Sequence, residues 1–125
     1  MPARQHRITR GDDYRRVVRH GNRVGGATCI THAVLHADGA APARFGFIVS
    51  KAVGNAVTRN LVRRRLKWIV DHRLAAGFTG ADVVFRALPR SSDAPFVELR
   101  RDVDRALDRI AASGARVSLG SSNAR

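Results

Sequence analysis

The side chains best placed to do chemistry are Lys51, Arg59, Asn60, Arg63, Arg64 and Lys67, which follow or flank a Gly54-Asn55 turn. At about 100° per residue, Arg59, Arg63 and Lys67 fall within roughly 80° of one helical arc, and Arg64 lies about 60° beyond. Val62, Leu66, Ile69 and Val70 occupy the neighbouring arc, so one face can bury itself while the next presents cations. Helical neighbours about 6 Å apart approach the phosphate repeat of a nucleic-acid strand, and a polyanion relieves their mutual repulsion. A solvated helix face is the plainer reading of any charge run. Solvated faces mix signs at i, i+4, however, and no acid occurs between Lys51 and Val70. The chemistry indicated is phosphate binding.

The rest of the composition agrees. The 125 residues include 23 Lys and Arg against 10 Asp and Glu, a formal charge of +13 that calls for an acidic partner. Lysine occurs only at Lys51 and Lys67, so guanidinium supplies nearly all the charge, and its planar fork suits phosphate and base stacking. No apolar stretch approaches membrane length, which argues against a membrane partner. The first residues lack an apolar signal core, so cytoplasm is the default location.

Catalytic patterns are absent. The acids are scattered, and Asp102, Asp104 and Asp108 lie where Arg100, Arg101, Arg105 and Arg109 can pair with them. The single cysteine, Cys29, excludes an intrachain disulfide and a cysteine-based zinc site, and reads as a small buried hydrophobe. His32 and His36 are four residues apart on an expected strand, roughly 13 Å, too far to share a metal. Gly54 alone makes no phosphate loop of the Walker type. A binding protein, or the binding subunit of an enzyme whose chemistry lies elsewhere, fits these residues.

Several elements must hold the basic helix in place. Asp12 and Asp13 can cap a first helix whose inner side carries Tyr14, Val17 and Val18, with Gly21 past its end. Beyond the flexible Gly25-Gly26 pair, residues 28–36 read as a strand, residues 39–42 as a turn, and residues 45–50 as its partner strand. The basic helix spans roughly residues 57–74, and residues 82–88 form another strand that Pro89 stops. Phe96, Leu99, Val103, Leu107 and Ile110 stripe a last helix that Gly114 closes. Residues 1–114 form one domain with a flexible start, and residues 115–125 read as a disordered tail. By strand parity Phe45, Phe47, Val49, Val83 and Phe85 face the long helices. Gly46, Ile48, Val84, Arg86, Ile30, His32 and Val34 share the other face, either a shallow groove for an extended ligand or an ordinary half-exposed sheet.

These residues together resemble the protein subunit of bacterial ribonuclease P. The similarity covers about residues 7–110. It rests on Ser50-Lys51, Gly54-Asn55-Ala56-Val57, Arg59-Asn60, Arg63-Arg64 and Lys67, supported by Arg7-Ile8, Asp13-Tyr14, Val17, His20-Gly21 and Phe45-Gly46-Phe47. It implies a two-layer α/β (α+β) sandwich, ribosomal protein S5 domain 2-like, with a small mixed sheet of about four strands and a left-handed βαβ crossover.

The resemblance also implies a function. The family's protein is the non-catalytic subunit of an endoribonuclease whose chemistry lies in a large RNA. It binds that catalytic RNA and the 5′ leader of precursor tRNA, and metal-dependent hydrolysis releases the mature 5′ end. Mg2+ would be held mainly by RNA, with no metal or catalytic residue assigned to the protein. Lys51, Arg59, Asn60, Arg63, Arg64 and Lys67 would dock on the RNA subunit. Tyr14, Val18, His32, Ile48 and Arg86 would line the leader cleft. Departures from the family's pattern are Leu61 after the Arg-Asn pair, Lys67 for arginine, Tyr14 for phenylalanine, Val18 for an aromatic and His32 for tyrosine. A ribosomal or ribosome-assembly RNA-binding protein, with no part in cleavage, is the alternative that charge and size allow.

Overall fold

The apolar stripes legible in the sequence become the buried sides of three helices packed on a four-stranded sheet. The computed structural model describes residues 4–123. The chain runs through α1 (Gly11–His20), β1 (Asn22–Gly25), β2 (Cys29–Leu35), β3 (Arg44–Ile48), α2 (Ala56–Ala75), β4 (Ala81–Ala87) and α3 (Phe96–Asn123), with short 3-10 turns at Arg4–His6 and Pro89–Ser92. The sheet order is β1-β2-β4-β3. β4 lies antiparallel to β2 and parallel to β3, so α2 is the crossover that a parallel pair requires.

This order corrects one expectation. Residues 45–50 are not the hairpin partner of the preceding strand; that partner is β1, in a segment the Gly25-Gly26 pair had marked as loop. The reason lies in the loop after β2. His36 N–H donates to Gly80 O at 2.8 Å, Gly80 N–H to Ala41 O at 2.8 Å, and the Thr79 hydroxyl to Gly39 O at 2.7 Å. The loop is thereby tied across the approach to β4, and β3 comes down on β4's far side. Gly80 (φ +82°) is required there, because a Cβ would stand 2.5 Å from Gly39 O.

On one face Val62, Leu66, Ile69 and Val70 of α2 and Leu99, Val103, Leu107 and Ile110 of α3 bury against Phe45, Val83 and Phe85. Phe85 stacks between Phe45 at 5.9 Å and Phe47 at 6.0 Å. On the other face α1 lays Val17, with Tyr14 and Val18, over Val84, Val34 and Ile48. Sheet parity is therefore as the sequence implies, and the first helix partly roofs the second face. Asp12 and Asp13 do not cap that helix. Its N-cap is Arg10, with no side-chain cap bond, and the two acids sit in the first turn, where they favour the helix dipole. α3 continues past Gly114, with no proline beyond to stop it; residues 124 and 125 of the expected tail lie outside the described residues.

Two buried carboxylates fasten the layers. Asp82 of β4, 2% exposed, accepts from Arg16 of α1 at 2.6 Å and from Arg44 of β3 at 2.9 and 2.7 Å. The His36 Nε2 atom lies 2.8 Å from its Oδ1. Burial alone would raise the pKa of Asp82, but hydrogen bonds from Arg44, His36 and Arg16 outweigh it and lower the value to about 2. On α3, Asp102 accepts from both the amide and the hydroxyl of Thr28, at 2.9 and 2.5 Å, anchoring the start of β2. Arg105 approaches it only at 3.4 Å.

Candidate nucleic-acid interface

Gly54 and Asn55 set the entry of α2. Gly54 has φ +155°, and a Cβ there would come 3.0 Å from the Thr58 side chain. Asn55 is the N-cap, its Oδ1 accepting from Thr58 N–H at 2.9 Å. From that start the ridge follows. Asn60 and Arg64 are exposed, Arg63 and Lys67 half-buried, and Lys51 is exposed in the turn before the helix. Arg63 Nη1 donates to Asn60 Oδ1 at 3.0 Å, which aims the guanidinium along the ridge. An open groove of about 460 Å³ is lined by Val57, Asn60, Arg63, Arg64 and Lys67.

The described cations divide into those with an acid partner and those without. Arg16, Arg44, Arg73, Arg90 and Arg100 are all paired with acids. Among the described residues no ion pair involves Lys51, Arg59, Arg63, Arg64 or Lys67. The half-buried Arg59 even leaves its Nε without a hydrogen-bond acceptor. Cations held together without counter-charges repel one another, and an anionic ligand would relieve them.

The sheet's second face brings the other group of residues together in part. Ile48 of β3 and Ile30 of β2 both flank Arg86 of β4 in register, and Arg86 is exposed. Tyr14, Val18 and Ile48 pack around Val84, one pair along the strands. The Tyr14 hydroxyl accepts from Phe47 N–H at 3.2 Å, so its ring is oriented on this face, half-buried. His32, opposite Val84, is 5% exposed, and neither ring nitrogen has a hydrogen-bond partner. Burial first, then Arg23 and Arg86, hold its pKa below the ordinary imidazole value. His32 is thus more covered than a lining residue needs to be, whereas Val18 is half-buried like Tyr14 and Ile48, and Arg86 is open.

Arg23 escaped the sequence reading. It pairs directly with His32 from β1 and adds an exposed cation to this face. Its signal was alternation in a four-residue strand, too short to register before two glycines. Trp68, exposed at the edge of the basic ridge, belongs to neither the apolar stripe nor the row of cations that the helical periodicity picks out.

The remaining chemistry-bearing residues are structural. Cys29 is buried, and burial followed by the charge of Asp102 pushes its thiol up to about 11. His36 belongs to the Asp82 cluster, on a different set of contacts from His32. Among the described residues no three His, Cys, Asp or Glu side chains group as a metal site. None of the described helices is long and apolar enough to cross a membrane.

A mixed sheet backed by two helices, crossed by a third and flanked by an unpaired cationic ridge defines an RNA-binding α+β protein. Residues 1–111 match the family model for Ribonuclease P, and the chain belongs to that family, whose role is tRNA 5′ processing by a ribonucleoprotein with this protein subunit. It is 44% identical over 123 residues to the ribonuclease P protein component of Streptomyces bikiniensis, covering 93% of this chain and all of that one. With the component from Clavibacter michiganensis subsp. michiganensis it shares 45% identity over 109 residues, 87% of this chain and 96% of that one. The RNase P protein of Staphylococcus aureus superposes with a TM-score of 0.73 at 22% identity, over 85% of this chain and 94% of that one. The Thermotoga maritima protein gives 0.72 at 19% identity, over 82% and 96%. Those two likenesses establish the fold.

Proposed function

We propose that Lys51, Arg59, Asn60, Arg63, Arg64 and Lys67 dock on the backbone of the catalytic RNA, and that the 5′ leader of precursor tRNA lies on the opposite face. The observation that carries this is that Arg63, Arg64 and Lys67, none of them in an ion pair among the described residues, line one open groove with Asn60 and Val57. On the second face, Tyr14, Val18 and Ile48 supply half-buried apolar surface, Arg86 an open cation, and His32 a buried ring in the sheet. Stacking on a tyrosine ring and a phosphate contact from arginine hold a single strand with little sequence preference. The protein's part is to bind and orient; the Mg2+ that hydrolysis needs is held mainly by RNA, and the complex works in the cytoplasm. A low-magnesium reconstitution tests this. The chain added to a bacterial ribonuclease P RNA should restore cleavage of precursor tRNA, and it should cleave nothing alone. Failure to restore cleavage while still binding RNA would favour a ribosome-associated role.

A further inference from the structure

Trp68 is the chain's single tryptophan, and it remains 41% exposed. It lies one helical turn beyond Arg64 and about 40° round from it, so it extends the flank of the basic ridge. The indole is nonetheless held. The His72 ring stacks on it at 3.6 Å, and Phe96 of α3 meets it edge-on at 5.2 Å. His72 is itself fixed, its Nδ1 lying 2.9 Å from the Trp68 carbonyl oxygen. The Arg100 guanidinium lies over the indole at 5.0 Å. Its tie to Asp104 is a 3.4 Å approach, and its side chain is 45% exposed, so it is the movable cover. A large aromatic surface left open yet already ordered loses little entropy on meeting a flat ligand.

We infer that Trp68 and Arg100 form a stacking platform for an unpaired base of the RNA subunit, with Arg64 and Lys67 holding the adjoining phosphates. The inference rests on the proposed docking of α2 on RNA and extends that surface onto α3. An arriving base either replaces the guanidinium over the indole or stacks outside it, with the guanidinium in the middle. The leader is not the occupant, because α2 and α3 pack on the sheet face opposite α1. A nucleotide uses both the planes and the cations of this patch, whereas an acidic peptide needs the cations alone.

The sole tryptophan is its own reporter. Iodide should quench Trp68 emission in the free full-length chain, and saturating ribonuclease P RNA should protect it. Trp68→Ala should weaken RNA binding by roughly 5- to 150-fold, and Trp68→Phe should recover most of the loss. Unchanged iodide access at saturation overturns the platform, as does equal protection by polyglutamate, which would make the patch a surface for acidic protein. A parallel Arg63→Ala titration separates the two levels of argument. If Arg63→Ala weakens binding and Trp68→Ala does not, the platform fails and the ridge stands. If neither weakens it, both fail. Thermal unfolding of each variant identifies a loss that arises from misfolding, and the wild-type protection experiment decides the matter without any variant.

Discussion

Tyr14 and Gly46 touch so closely that no other residue fits beneath the ring. A Cβ on Gly46 would stand 2.5 Å from Tyr14 Cε1 and 2.6 Å from Cζ. The glycine is therefore a seat for the phenol, and the hydroxyl anchors it through Phe47 N–H. Gly46→Ala should push the ring off the sheet, lower the melting temperature and weaken precursor tRNA binding together. Gly46→Ala with unaltered melting and binding would show that the ring has no fixed seat.

Removing the ring separates leader from body. Tyr14→Ala should weaken precursor tRNA binding by about 5- to 150-fold while mature tRNA affinity stays nearly constant, since only the precursor carries a leader. Tyr14→Phe should keep the stack and lose the bond to Phe47, costing about 1 kcal/mol in denaturant unfolding. Equal losses for both tRNAs would end the leader assignment.

The ridge gives a salt signature. Arg63→Ala and Arg64→Ala should each weaken RNA-subunit binding whatever the leader. Each should also flatten the log–log salt dependence by up to about 0.7–0.9 for every phosphate no longer neutralised. A changed leader preference with normal assembly would move that residue out of the docking surface.

Acid should unfasten the second face in a predictable order. His32 has a lowered pKa, so the unfolded chain binds a proton more readily and stability declines as pH falls below about 6.5. Asp82 has its pKa lowered from 3.8 to about 2, so its contribution is complete above 3.8 and is lost as pH falls toward 2. That displacement corresponds to about 2 kcal/mol. Asp82→Ala should cost about 2–4 kcal/mol, because Arg16 and Arg44 lose their acceptor yet can still reach water. Unfolding free energies across pH 2–7, with and without the substitution, check both steps.

The Cys29 thiol should resist alkylation at pH 8, being buried and protonated until about 11, and react only when the chain unfolds. Rapid labelling of native protein would mean that β2 opens far more often than its anchorage by Asp102 allows.

Local pattern was enough for the long helices. The stripes Val62-Leu66-Ile69-Val70 and Leu99-Val103-Leu107-Ile110 bury as their periodicity requires, and strand parity put Phe85 and Val84 on opposite faces. Sheet order was not legible, because hydrogen bonds at Gly80 and Gly39 decide where β3 docks and no local propensity encodes them. The site divides the same way. The α2 ridge is written in consecutive residues, whereas Arg23 beside His32 needs the register of β1, and the cover over Trp68 needs α3.

The place of β4 in the sheet governs when this protein comes into being. Residues 81–87 are the central strand for both β2 and β3, and Val84 is the seat of α1. On an emerging chain, the β1–β2 hairpin and α2 are the pieces able to form first, since their partners lie within reach. Everything else waits for a strand encoded two-thirds of the way along, and such non-local pairing is slow. Until it arrives, β2 and β3 each present an unsatisfied strand edge beneath a strongly basic helix, in a cell crowded with RNA. Once it has arrived the sheet can close, and α3, which follows it, completes the core behind α2, so a chain that stalls before Ala81 has neither the second face nor the seat of the ridge finished.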